Sequence, residues 1–180
     1  TSSLSTPIAV NGGKIELGGA LNFETGSVLD VSAGAWLSST RKLKLGSAGS
    51  IVITSRNVGL DLSRVALRGY GVATGSEAVI SAGGTLTLNL ASIAIAPSGS
   101  ATGTATRLDP SFFSEGGFSS YALIADQVAF ADGMTLAPTP QTLVADSSLY
   151  THPSAAGLAQ VASLRTFAAE RPVYLRCEVM

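Results

Sequence analysis

Cysteine is nearly absent from this chain. Cys177 is the only one in 180 residues, which excludes an internal disulfide framework and any multi-cysteine zinc site. Histidine is equally scarce: His152 stands alone beside Pro153 with no second ligand type near it, so neither a metal centre nor a histidine-based acid–base pair is expected there. Charge is low, at 13% of residues, and the net charge of −1 provides no field to draw in nucleic acid or an acidic membrane. There is no run of about 18 apolar residues from which to build a membrane helix. The chain also lacks an initiator methionine and the charged head and cleavage site of a signal peptide. It therefore reads as a piece of a longer protein.

What is abundant is small and apolar. The hydrophobic fraction of 46% is too high for disorder, and 20 glycines break the text into short strand-like pieces. Many pieces alternate apolar with small or polar residues, as in Leu86-Thr87-Leu88-Asn89-Leu90, the pattern of a strand with one buried face. Asn11-Gly12 is the only Asn-Gly, so tight hairpins have little local support.

A repeat of about twenty-four residues is visible. Thr25-Gly26-Ser27, Ala48-Gly49-Ser50 and Thr74-Gly75-Ser76 each open an apolar piece, and Gly99 continues the series at spacings of 23, 26 and 24. Val31-Ser32-Ala33-Gly34 and Ile80-Ser81-Ala82-Gly83 fall in phase with it. Repeats of this size mean stacked units that bury an apolar face against a neighbour. The expected fold is all-β: a single-stranded parallel β-helix of six or seven coils, roughly 30 Å long. This phase predicts Val28 stacked on Ile51 and Leu29 on Val52.

One domain is expected, divided into regular coils over residues 1–96, an exposed small-residue excursion over 97–110, further coils over 111–150, and a helix with a returning strand over 151–180. The helix is read from the Ala-rich stretch 154–171 between Pro153 and Pro172.

The block 112–123, with Phe112-Phe113-Ser114-Glu115-Gly116-Gly117-Phe118 followed by Ser119-Ser120-Tyr121-Ala122-Leu123, resembles a motif of the filamentous haemagglutinin family. The similarity runs on through Ala131-Asp132-Gly133-Met134-Thr135-Leu136-Ala137-Pro138 and is seen again at Arg171-Pro172-Val173-Tyr174-Leu175. These are large exoproteins of Gram-negative bacteria, exported by two-partner secretion. The resemblance implies a right-handed parallel β-helix, a secreted or cell-surface location, and a role as stalk or in attachment. It also implies that an outer-membrane translocator acts on the parent chain through a part that precedes Thr1.

Function then reduces to a choice between a non-enzymatic structural or adhesive module and a glycan-binding or glycan-cleaving β-helix protein. Cleavage needs carboxylates clustered on one face. In the repeat phase no two of Asp30, Asp61, Asp109, Asp126, Asp132 and Asp146 coincide within the regular coils, so no enzymatic activity and no cofactor are expected. Arg41 and Arg64 do share a phase; with Lys42, Lys44 and Arg68 they are the candidate contacts for an anionic host glycan. Phe112, Phe113, Phe118 and Tyr121 are expected to fill the interior where the excursion rejoins the stack. Partners are expected to be a glycan or a receptor, not nucleic acid, and the piece is expected to be monomeric.

Overall fold

The computed structural model describes residues 11–37, 43–56, 59–74, 80–100, 103–146, 162–166 and 172–180. It is a largely parallel, multi-strand β architecture. Its spine is a sheet in the order β1 (Lys14–Gly18), β5 (Ser50–Ser55), β8 (Thr85–Ile95), β10 (Ser120–Phe130) and β13 (Tyr174–Val179), with every pair parallel. One residue column runs Ile15–Ile51–Leu86–Tyr121–Leu175 and the next inward column runs Leu17–Ile53–Leu88–Leu123–Cys177. The three central members of each column are essentially inaccessible to solvent. Alternation along each strand accounts for this, since residues two apart share a face.

The column steps are 36, 35, 35 and 54 residues, so the repeat unit is about thirty-five residues, not twenty-four. Val28 does not meet Ile51. It lies on β2 (Ser27–Asp30), opposite Ala66 of β6 (Val65–Arg68), with Leu29 opposite Leu67. The Thr/Ala-Gly-Ser triplets mislead because they occupy different corners. Gly26 makes a left-handed turn at φ 91° before β2. Gly49 precedes β5 with no left-handed backbone; it is glycine because an added Cβ would lie 1.8 Å from the Gly13 carbonyl oxygen. The two glycines answer different steric demands and mark no common phase.

Between rungs of the main sheet the chain crosses to the β2–β6 pair and then turns out in an antiparallel excursion. The first is β3 (Ala35–Leu37) with β4 (Leu43–Leu45); in the second, β7 (Gly71–Ala73) leads to a bridge from Ala73 to Ile80. After β10 the excursion is β11 (Gln141–Ala145) with β12 (Ala162–Thr166), and β11 also pairs in parallel with β7. Antiparallel pairing thus recurs in three of the four intervals between spine strands, with none among the described residues between β8 and β10, although no Asn-Gly loop announces it.

Two expectations change here. Residues 162–166, expected within a helix, are a strand, because pairing with β11 satisfies their backbone and overrides the local helix preference of an Ala-rich text. The remainder of 154–171, and His152, lie outside the described residues. The stretch 97–110 is not all excursion. β9 (Thr106–Leu108) pairs in parallel with the second half of β8, and Thr106 and Leu108 are buried.

The main core packs the inward face of the spine against Phe23, Val31, Leu60, Leu62, Val65 and Leu67. Phe113, Phe118 and Tyr121 are each 1% exposed and meet edge to face at 5.1–6.0 Å, while Phe112 is half-buried beside them. The rings fill the interior, as expected. Cys177 points along an inward column but is exposed, because β13 ends the sheet.

Candidate functional site

Among the described residues β6 pairs only with β2, so its other edge has no strand beside it. There the chain supplies a 3-10 turn (Pro110–Phe113) and a sharp bend through Gly116 and Gly117, both left-handed at φ 69° and 72°. The result is a groove of about 530 Å³. Its floor is apolar, from Leu67, Leu86, Leu108 and Phe118. Arg68, Tyr70, Arg107, Phe112, Glu115 and Gln141 form its rim.

Strand alternation sets the rim. Thr106 and Leu108 turn inward on β9, which leaves Arg107 outside; Val65 and Leu67 turn inward on β6, which leaves Arg68 outside. The double glycine draws Gly116 close enough for its carbonyl to accept from the Gly69 amide at 2.7 Å. It also lets Tyr70 lie against Gly117, where an added Cβ would be 2.2 Å from the ring. Burial raises the Tyr70 phenol above its usual range, with Asp30 and Glu115 adding to the effect, so it remains a neutral donor and acceptor at physiological pH.

Two Asp-x-Ser segments shape the walls. Asp61 caps the 3-10 turn Leu62–Arg64, accepting from the Ser63 amide and hydroxyl at 3.0 and 2.6 Å and from Arg64 Nε at 3.0 Å. Asp109 caps the turn Pro110–Phe113 and also accepts from the amide and hydroxyl of Ser98, both at 2.8 Å. Hydrogen bonds to Ser63, and then Arg64, hold the Asp61 carboxyl below the usual carboxylate range; those from Ser111 and Ser98 do the same for Asp109. A depressed folded value means that the stability contributed is present above the unfolded value near 3.9 and is lost as pH falls through the folded one. The melting temperature should therefore fall below about pH 4. The double variant Asp61→Asn, Asp109→Asn should flatten that fall, as checked by thermal melts between neutral and acid pH.

Three of the five basic residues expected to bind an anion are described. Arg41 and Lys42 lie outside the described residues. Lys44 sits on β4 opposite Trp36. Arg64 is paired with Asp61 at 3.0 Å, and Arg68 faces Asp30 in register, with their charged atoms 4.0 Å apart. Asp30 thus stacks on Arg68. Tyr70, Arg107, Glu115 and Gln141 are rim residues that were not among the candidate contacts, and neither Arg107 nor Glu115 has an ion-pair partner among the described residues. The alternation Thr-Arg-Leu at 106–108 was the available signal, hidden by the small-residue text around it. Arg56 and Asp126, 70 residues apart and two rungs distant, pair at 3.0 Å on the surface.

Compared with known protein families, with curated proteins and with solved structures, the chain matches none.

Proposed function

We propose that this chain is a structural and adhesive module of a large bacterial exoprotein of the filamentous haemagglutinin kind, secreted or displayed at the cell surface and exported through an outer-membrane translocator. In this reading the parallel strands close into a right-handed β-helix, the hand that parallel crossovers take almost without exception. The observation that carries the proposal is the five-member column Ile15–Ile51–Leu86–Tyr121–Leu175, in which each unit buries its apolar face against the next. Such a stack lengthens by adding units and suits a stalk.

The attachment surface in this reading is the groove beside β6. Rings from Tyr70 and Phe112 offer apolar faces to a sugar, while Arg107, Glu115 and Gln141 offer donors and acceptors to its hydroxyls. Arg68 is offset by Asp30, and Arg107 by Glu115 of opposite sign, so a neutral glycan fits better than a polyanion. A glycan screen should find neutral oligosaccharides whose binding changes little with salt. Arg107→Ala and Glu115→Ala should each weaken that binding roughly tenfold with the melting temperature unchanged. Binding confined to sulfated glycans and lost in salt would overturn the groove reading. Turnover of any polysaccharide would overturn the non-enzymatic one.

A further inference from the structure

One side of the groove is held from beneath by a residue that does not line it. Tyr121, the second residue of β10, turns inward on the spine between Leu86 and Leu175 and is 1% exposed. Its ring packs edge to face against Phe113 and Phe118, with centroids at 5.1 and 6.0 Å. Its hydroxyl reaches the backbone, 3.3 Å from the Phe113 carbonyl oxygen and 3.4 Å from that of Glu115. A carbonyl only accepts, so the phenol donates to both, with one proton shared in a three-centre bond. Burial pushes that phenol up, with Glu115 and Tyr70 adding to the effect, so the proton stays in place across the physiological range. Among the described residues no other donor reaches either carbonyl. Phe112 and Glu115 line the groove; Phe113 and Tyr121 lie behind them.

We propose that Tyr121 is a positioning residue for the groove: its hydroxyl fixes the backbone of Glu115, and through it the carboxylate offered to the sugar. The inference rests on the groove reading above. Glu115 stands between two fixed points. Before it, the 3-10 turn closes at Ser114, whose amide donates to the Ser111 carbonyl at 2.8 Å. After it, the left-handed Gly116 accepts at its carbonyl from the Gly69 amide at 2.7 Å. The Glu115 amide donates to Ser111 as well, at 3.1 Å, but its carbonyl is met by the phenol alone. Without that bond the residue is free to rock between its neighbours, because the two glycines that follow resist little. Two shielded acceptors would also be left unmatched, which favours a shift of the segment toward water. The carboxylate would move with it, away from its place opposite Arg107 on the rim. Tyr121 thus carries the rigidity of the spine to the rim, since its Cα is set by pairing with Leu86 on one side and Leu175 on the other.

Tyr121→Phe removes the hydroxyl and keeps the ring, so circular dichroism should show the fold retained. The first readout needs no ligand. In native-state hydrogen exchange the Glu115 and Gly69 amides should exchange roughly tenfold faster, the effect of about one lost hydrogen bond. The Gly46 amide, which bonds Gly34 beside the β3–β4 pair, should keep its rate. The second readout is calorimetric titration with maltohexaose and with lacto-N-tetraose, two neutral oligosaccharides. Tyr121→Phe should weaken binding roughly fivefold in the parent and by less than about twofold in a Glu115→Ala chain, because the hydroxyl acts through Glu115. A general loosening of the protein would weaken binding equally in both backgrounds. Equal losses therefore overturn the proposal, as does exchange at Glu115 and Gly69 that stays unchanged. A parent chain that binds neither sugar overturns the groove reading and the proposal with it, a failure told apart from the others because it appears before any substitution is made.

Discussion

Ile51→Asp should unfold the protein. Ile51 is wholly buried, with Ile15 opposite it on one side and Leu86 on the other, and Ile53 and Leu88 on the adjoining inward column. A carboxylate placed there has no cation on the inner face of the spine to meet it, since the inward columns are apolar throughout their centre. Losing the apolar contacts and burying an unpaired charge together cost roughly 4 kcal/mol or more. Typical domains are stable by only about 5–15 kcal/mol, so the variant should melt far below the parent or aggregate on expression. Ser100→Asp, on the partly exposed segment after Pro97, should stay within about 0.5 kcal/mol. Paired thermal melts of the two variants check both statements.

Gly49→Ala should be nearly as damaging, although it adds one methyl group. That methyl would lie 1.8 Å from the Gly13 carbonyl oxygen and 2.7 Å from the Gly12 carbonyl carbon, and both are backbone atoms that cannot rotate away. The Ser50 amide donates to that same Gly13 oxygen, and the Gly49 carbonyl accepts from the Thr85 amide at 3.0 Å. Relieving the clash therefore pulls apart hydrogen bonds on both sides of β5. A cost of about 3 kcal/mol is expected, the upper part of the usual range for overpacking. Gly13→Ala is the control. No atom lies within 4 Å of its added methyl and its φ is not positive, so it should be neutral or slightly stabilising through the unfolded chain. Urea denaturation of the two alanine variants should separate them clearly.

These two sites also show what was legible in the sequence. The period-2 alternation in Leu86-Thr87-Leu88-Asn89-Leu90 identified the buried face of β8 correctly, because alternation follows directly from strand geometry. The parallel character of the stack was expected correctly, but from glycine triplets that mark no common phase, and its period was not legible. Gly26 and Gly49 look alike in sequence and serve different corners, so counting between them gave 23 where the rungs of the spine recur every 35 or 36. Loops of unequal length then carried the error into every stacked pair, including Val28 with Ile51.

The groove was less legible than the fold. Arg107 lies within a stretch that reads as an excursion, and only its pairing with β8 makes it a rim residue. Arg64 and Arg68 were visible as cations, and Asp61, which pairs with Arg64, lies only three residues before it, but the partner of Arg68 comes from a register the sequence does not display. Arg68 meets Asp30 across 38 residues. The block 112–123 was visible and its physical content is now clear: three rings buried before and at the start of β10, and two glycines that bend the chain against Tyr70.

The measurement closest to the central claim is a methyl-resolved NOE spectrum of the Ile, Leu and Val side chains. Rungs about 4.8 Å apart bring methyls of neighbouring column members within reach of one another. The thirty-five-residue stack predicts cross-peaks from Ile51 to both Ile15 and Leu86, and from Ile53 to Leu17 and Leu88, with none between Ile51 and Val28. A cross-peak between Ile51 and Val28, with those to Ile15 and Leu86 missing, would contradict it.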